Sequence, residues 1–184
     1  MKATDELRNE HEGILLMLHI LEAVSRKIQQ GERIDPDDLD KIVEFLSVFA
    51  DKCHHGKEED FLFPALEASG IPNKGGPIGV MLEEHKIGRG LIAKLKDSLN
   101  LYRSGEENTT AEFTSAARQY IELLRQHIDK ENNILFPMAD RVLDSSKDDT
   151  LFSSFEKLEK ERIGAGKHEE FHVLLKQLRD KYMN

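Results

Sequence analysis

One phrase, written twice, limits this chain more than any other feature. The first copy is His54-His-Gly-Lys-Glu58-Glu-Asp-Phe-Leu-Phe63-Pro64, and the second is His127-Ile-Asp-Lys-Glu131-Asn-Asn-Ile-Leu-Phe136-Pro137. Both read His-x3-Glu-x4-Phe-Pro, and both follow a run whose apolar residues recur at helical spacing. On an α-helix, residues four apart lie on one face, one turn above each other. Each phrase therefore directs an imidazole and a carboxylate to one place, a donor pair that suits first-row metals. The doubling extends upstream: Glu10-His11 precedes the first copy and Glu84-His85 the second, at nearly equal separations. The chain order is His, His-x3-Glu, His, His-x3-Glu. Such a tandem duplication puts one histidine on each odd helix and one pair on each even helix. Two units predict a pseudo-symmetric bundle and not a solenoid.

Helix signals support that reading. The first helix should run from about Thr4, its N-cap, to Gln30, with His11 inside the stripe of Leu7, Ile14, Leu18 and Leu21. The second opens on Asp35-Pro36-Asp37-Asp38, a cap with proline at the first position, and descends to His54 and Glu58. Pro64 should kink it or mark its last turns. A third helix starts near Pro77 and ends near Ser104-Gly105. The fourth starts on the capping-box pattern Thr109-Thr-Ala-Glu112 and reaches Pro137. Short connections favour antiparallel neighbours. The expectation is an all-α, up-down-up-down four-helix bundle over residues 1–143, with a C-terminal helical extension, residues 144–184, packed on it.

A chain of 184 residues suits one domain with a real core. The net charge of −9 gives no bulk reason to approach nucleic acid or an anionic membrane. No apolar stretch nears the roughly 18 residues of a membrane span, and the amphipathic N-terminus does not read as a signal peptide. The single cysteine, Cys53, excludes an internal disulfide and suits a reducing compartment. The expected location is cytoplasmic, with no nucleic acid or membrane partner and with room for a homodimer.

Four histidines and two glutamates fall inside apolar stripes. Burying two carboxylates without a cation costs several kcal/mol, on the order of that for any unpaired buried charge. A dinuclear cation between the helices removes that cost. The donors lack the thiolates of a Cys-rich zinc site, and imidazoles do not suit calcium or magnesium; iron, manganese or zinc fits. Six protein ligands leave positions on two octahedral ions for water, O2, NO or peroxide.

This constellation, over about residues 4–143, resembles the hemerythrin-like (HHE cation-binding) family. The resemblance implies a non-haem di-iron site with His11, His54, Glu58, His85, His127 and Glu131 as ligands to two iron ions, manganese or zinc being substitutes. It implies a protein that binds or senses O2, NO or peroxide, or holds iron. The alternative is an enzyme that removes peroxide or NO, or repairs iron–sulfur clusters. Two departures matter. Oxygen-carrying members have His-x3-His on the third helix, where this chain has Arg89 after His85. They have His-x4-Asp on the fourth, where this chain has His-x3-Glu. One imidazole short, the site is not expected to carry oxygen reversibly. The repair branch has a small Cys-bearing N-terminal domain that this chain does not show.

The extension holds His168 and His172 just after Gly164-Ala-Gly166. His168 is therefore the expected seventh ligand, with Glu159 or Glu161 as alternatives; the competing reading is that His168 and His172 line the solvent face of an amphipathic helix. His55 aligns with Ile128 in the repeat, so it is read as outside the ligand set. Cys53 and Tyr120 read as core residues. The acidic clusters at Asp35–Asp40 and Glu106–Glu107 read as helix starts and solvated faces.

Overall fold

A computed structural model describes residues 1–104, 109–164 and 166–183. Glu106 and Glu107, the cap before α5 and Ala165 of the glycine break lie outside the described residues. Helix α1 spans Lys2–Gln29. Helix α2, Pro36–Phe45, continues through widened π-type turns at Leu46–His55 and Glu58–Leu62 into α3, Phe63–Ala68. Helix α4 spans Pro77–Ser104. Helix α5, Thr109–Lys130, continues through a π turn at Glu131–Leu135 into α6, Phe136–Val142. These four rods form the bundle, with α1 against α5, α5 against α4, and α4 against α2. Helix α7, Ser145–Leu158, a π turn at Glu159–Ile163, and α8, Lys167–Tyr182, complete the chain.

The prolines do not end their helices. Proline has no N–H, and its ring crowds the carbonyl four residues back. In both copies the turn before proline is widened, so that the Phe63 N–H reaches the Glu58 carbonyl and the Phe136 N–H reaches that of Glu131. Each rod thereby continues past its proline, and the widened turn starts at the glutamate of the phrase. Such turns often sit at functional positions.

Thr4 lies inside α1 and does not cap it. Its hydroxyl donates to Asp140 at 2.6 Å. The first N–H groups of α1, those of Lys2 and Ala3, donate instead to the Asp148 carboxylate, each at 3.0 Å. The cap thus comes from α7. At the start of α2, Asp35 accepts from the Asp37 N–H, as its sequence predicts.

The core has two apolar parts. One, at the Phe-Pro end of the phrases, holds Leu7, Leu62, Phe63, Met81, Leu135 and Phe136, together with Leu151 and Phe155 of α7. The other holds the long middle of α1, α2, α4 and α5, together with Phe171, Leu175, Leu178 and Tyr182 of α8. The extension is therefore continuous with both parts of the core. Along every rod the histidines and glutamates of the phrases fall between residues of one part and residues of the other. A polar layer separates two apolar ones.

Candidate metal centre

That layer contains five histidines and two glutamates, all buried: His11, His54, His55, Glu58, His85, His127 and Glu131. They form two groups that share a glutamate. His11, His54, Glu58 and Glu131 offer donor atoms within 4.8 Å of one another, and so do His55, Glu58, His85 and His127. The carboxylates lie across both groups. Glu58 turns Oε1 toward His54 Nε2 at 3.7 Å and Oε2 toward His85 Nε2 at 3.4 Å. Glu131 turns Oε2 toward His11 Nε2 and Oε1 toward His127 Nε2, both at 3.2 Å. Each glutamate thus gives one oxygen to each side.

All five rings point Nε2 inward and hold Nδ1 from behind. His11 Nδ1 lies 2.9 Å from Asn132, His54 Nδ1 2.8 Å from Glu10, and His55 Nδ1 3.4 Å from Asp51. His85 Nδ1 lies 2.7 Å from Glu59 and His127 Nδ1 2.9 Å from Glu84. Outer partners of this kind fix ring orientation and raise ligand basicity in metal sites. On the inner side, His11 Nε2, His54 Nε2, His55 Nε2 and all four oxygens of Glu58 and Glu131 have no hydrogen-bond partner. Polar atoms buried to that degree are normally satisfied. Seven orphans aimed at one spot is the pattern a cation resolves, and an N/O donor set without thiolate suits iron, manganese or zinc.

Protonation shows the same tension. Burial, reinforced by the facing Glu131, pushes the Glu58 carboxyl well above the usual range. Burial also opposes ionisation of Glu131, but His127 and His11 prevail and hold it well below. Burial works against a charged His127 too, yet Glu131 and Glu84 lift it to about 9. His54 falls to about 4, chiefly through burial. The layer therefore holds protons that a bound cation would displace.

The duplication explains most of this geometry. Glu10 serves His54 and is held by Lys57 at 2.7 Å; Glu84 serves His127 and is held by Lys130. Each phrase phenylalanine lies on the histidine of an odd helix. Phe63 stacks on His85 at 5.8 Å and Phe136 on His11 at 5.4 Å.

The histidine outside the predicted set, His55, lies in the middle of it. Its ring stacks on His85 with centroids 3.8 Å apart. Its counterpart in the repeat is Ile128. Ile128 is buried in the core, so the position faces inward in both copies. A histidine at an inward position must be buried and must find partners. Arg89, four residues beyond His85, does not enter the site. It reaches from the rim to Asp51 at 2.8 Å and Glu59 at 2.7 Å, the groups behind His55 and His85. The position on α4 where an imidazole is lacking thus faces outward, while an imidazole of the second rod, His55, lies beside His85 and His127.

His168 is not brought to either group. Beyond Gly166, which adopts φ +85°, α8 starts with His168 against Phe49 at 5.2 Å and His172 at 4.8 Å. Its donor atom gathers with Glu10 and Glu159, behind the His54 ring. Glu159 pairs with Lys57 and Glu161 with Lys157, so neither glutamate reaches the layer. Among the described residues the extension meets the groups behind the ligand candidates, through Glu159 on Lys57 and Lys57 on Glu10. Cys53 is buried, and burial pushes its thiol up to about 12.

Surface grooves lie elsewhere. A groove of about 420 Å³ between α1 and α5, lined by Glu22, Arg26, Arg118 and Arg125, shares no residue with the layer. No helix among the described residues is long and apolar enough to cross a membrane.

Comparison with known proteins agrees with this geometry. The sequence profile of the hemerythrin HHE cation-binding domain matches residues 2–139. Over 88 residues, 47% of this chain, the sequence is 35% identical to an iron-sulfur cluster repair protein, YtfE, of Escherichia coli O81 (strain ED1a). The proteins of that name from Citrobacter koseri and Escherichia fergusonii are 34% identical over the same length. The aligned part is 40% of the length of each of these relatives. No solved structure matches the chain.

Proposed function

The chain belongs to the hemerythrin HHE cation-binding domain family, and from that premise we propose that its polar layer holds a dinuclear iron centre for small oxidising ligands: O2, NO or peroxide. The observation that carries the reading is the inward convergence of five Nε2 atoms and two shared carboxylates, of which three Nε2 atoms and all four carboxylate oxygens have no hydrogen-bond partner. His11 and His54 would hold one ion, His55, His85 and His127 the other, and Glu58 and Glu131 would serve both. Bound there, iron supplies one-electron chemistry toward such ligands. The chain's own part is to hold the imidazoles oriented, each with Nε2 inward, through Glu10, Asn132, Glu59, Glu84 and Asp51. The His11 side has one imidazole fewer, so an added ligand has more room there. The apolar layers on either side keep the ligand small.

A second reading, repair of iron–sulfur clusters, rests on the iron-sulfur cluster repair proteins that this chain matches over 40% of their length. It uses the same centre as a source of iron. Iron analysis of protein purified without added metal tests both readings. Two ions per chain are expected. His54→Ala and His127→Ala should each abolish stoichiometric binding. Absorption spectra under O2, NO and peroxide then identify the ligand, and transfer of iron to an apo-ferredoxin tests the repair reading. Wild-type protein that takes up no iron, manganese or zinc refutes the proposal.

A further inference from the structure

Behind His54 lies a cluster of charges that the centre itself does not require. Lys57 is fully buried. Its ammonium meets Glu10 at 2.7 Å, Glu159 of the extension at 2.5 Å, and Glu6. The ring of Phe155, from α7, covers it at 5.6 Å. Glu10, Glu159 and His168 gather closely enough to suit a cation, but Lys57 already supplies one. An ammonium is buried at high cost unless it is well paired, and here three carboxylates pair with it. Glu10 uses its other oxygen on His54 Nδ1. A line of charges thus runs from the extension to a ligand candidate: Glu159, Lys57, Glu10, His54.

The second copy has the inner half of this line and lacks the outer half. Lys130 pairs with Glu84, and its side chain is 33% exposed. Among the described residues no carboxylate of the extension meets it. Charges in a dry surrounding act on one another far more strongly than charges in water. Among the described residues the extension thus joins the charges behind His54 and not those behind His127.

We propose that the C-terminal extension tunes the His11/His54 side of the centre through Glu159 and Lys57, favouring the ferric over the ferrous state there. Glu159 and Glu6 offset the Lys57 ammonium. Glu10 then keeps more of its negative charge for the His54 ring, which becomes the better donor to the more highly charged ion. Glu159, Glu6 and Lys57 act as positioning residues, through Glu10. The inference rests on the iron reading above.

The test uses the iron-loaded full chain, with midpoint potentials from spectroelectrochemistry and each ion followed by Mössbauer spectroscopy. Glu159→Gln and, separately, Glu6→Gln should each shift the ferric-to-ferrous affinity ratio toward ferrous by about tenfold or less, up to about 59 mV for one electron. Lys57→Met should shift it the opposite way. Glu161→Gln, on the same turn but 64% exposed and paired only outward, should leave it unmoved. A merely structural clamp would lower iron content in every variant without opposite shifts. If Lys57→Met does not fold, the common shift of Glu159→Gln and Glu6→Gln against an unmoved Glu161→Gln carries the test. Wild-type protein that loads iron, with both glutamine variants at its potential, overturns this inference alone. Wild-type protein that loads no iron overturns the functional reading with it.

Discussion

The two copies of the phrase agree closely at the centre and diverge with distance from it. Both carry an inward histidine, a glutamate shared across the layer, a phenylalanine stacked on a histidine, and a Glu–Lys pair behind the ring. They differ at one inward position, where the first copy has His55 and the second Ile128. They differ again outside, where the extension encloses Lys57 and leaves Lys130 partly exposed. The behind-the-ring partners differ as well: Asn132 stands behind His11 where Glu59 stands behind His85. Geometry is thus kept by the duplication, while charge and donor count are not. The lesson is that pseudo-symmetry fixes where side chains point and leaves open what they do there.

The largest effect should follow from the His55/Ile128 difference. His55→Ala removes a donor from one side only. Affinity there should fall by more than about 100-fold, beyond the usual loss from an outer partner, and iron content should drop toward one ion per chain. Ile128→Ala removes core volume in the matching place. It should lower stability by about 2–5 kcal/mol while leaving two ions bound. Metal analysis and denaturant melts on the two variants read out the contrast. Equal loss of iron in both would mean that the positions differ in packing and not in ligation.

Proton linkage sharpens the same comparison. Without an ion, Glu58 is held well above the usual carboxylate range and His127 is lifted to about 9. Metal must displace both protons. A group whose pKa lies above the working pH opposes binding, and the opposition fades as pH rises through that pKa. Affinity should therefore climb from pH 6 toward 9 by about tenfold per unit for each proton released. Calorimetry in buffers of different ionisation enthalpy measures the proton count. Affinity that is flat over this window would contradict a proton-filled layer.

Much of this was legible in the chain, because helical periodicity and an internal repeat are local signals. His11, His54, Glu58, His85, His127 and Glu131 could all be placed on inward faces from spacing alone, and the structure gathers them. Two judgements could not be made that way. His55 looked dispensable because its counterpart was apolar, although an apolar counterpart is what marks an inward position. His168 looked available because glycines preceded it, but where a flexible break delivers the next helix depends on packing. Phe171, Leu175 and Leu178 seat α8 in the core and leave His168 behind Glu10. Thr4 failed as a cap for a related reason: the acceptor for the α1 N-terminus comes from residue 148, far along the chain.

A smaller effect should separate the outer partners. Glu84→Gln loosens His127 at a partly buried position, while Glu10→Gln loosens His54 beneath the extension and also strips a partner from buried Lys57. Both should weaken metal binding, by about 10- to 100-fold, and Glu10→Gln should lie at the upper end. Its carboxyl falls to about 2 because His54 and Lys57 outweigh the effect of burial. Competition against a chelator of known affinity ranks the pair, and a larger loss for Glu84→Gln would remove the asymmetry assigned to the extension.

The smallest effect concerns how each repeat begins. In the first copy, α1 takes its cap from the extension through two N–H bonds to Asp148. In the second, α4 takes it from its own loop, where the Gly79 N–H reaches the Asn73 carbonyl at 3.1 Å. That loop closes so tightly that a Cβ on Gly79 would stand 2.5 Å from the Asn73 oxygen. Asp148→Ala should therefore cost about 0.5–2 kcal/mol, the usual price of a lost cap. Iron content should be unchanged, since neither residue touches the layer. Gly79→Ala should cost more, because backbone must move to admit the methyl group. A thermal melt of both variants in the iron-loaded state decides the order. If Asp148→Ala releases iron as well, the extension holds the centre by its grip on α1 and not only through Lys57, and the two copies differ by more than charge.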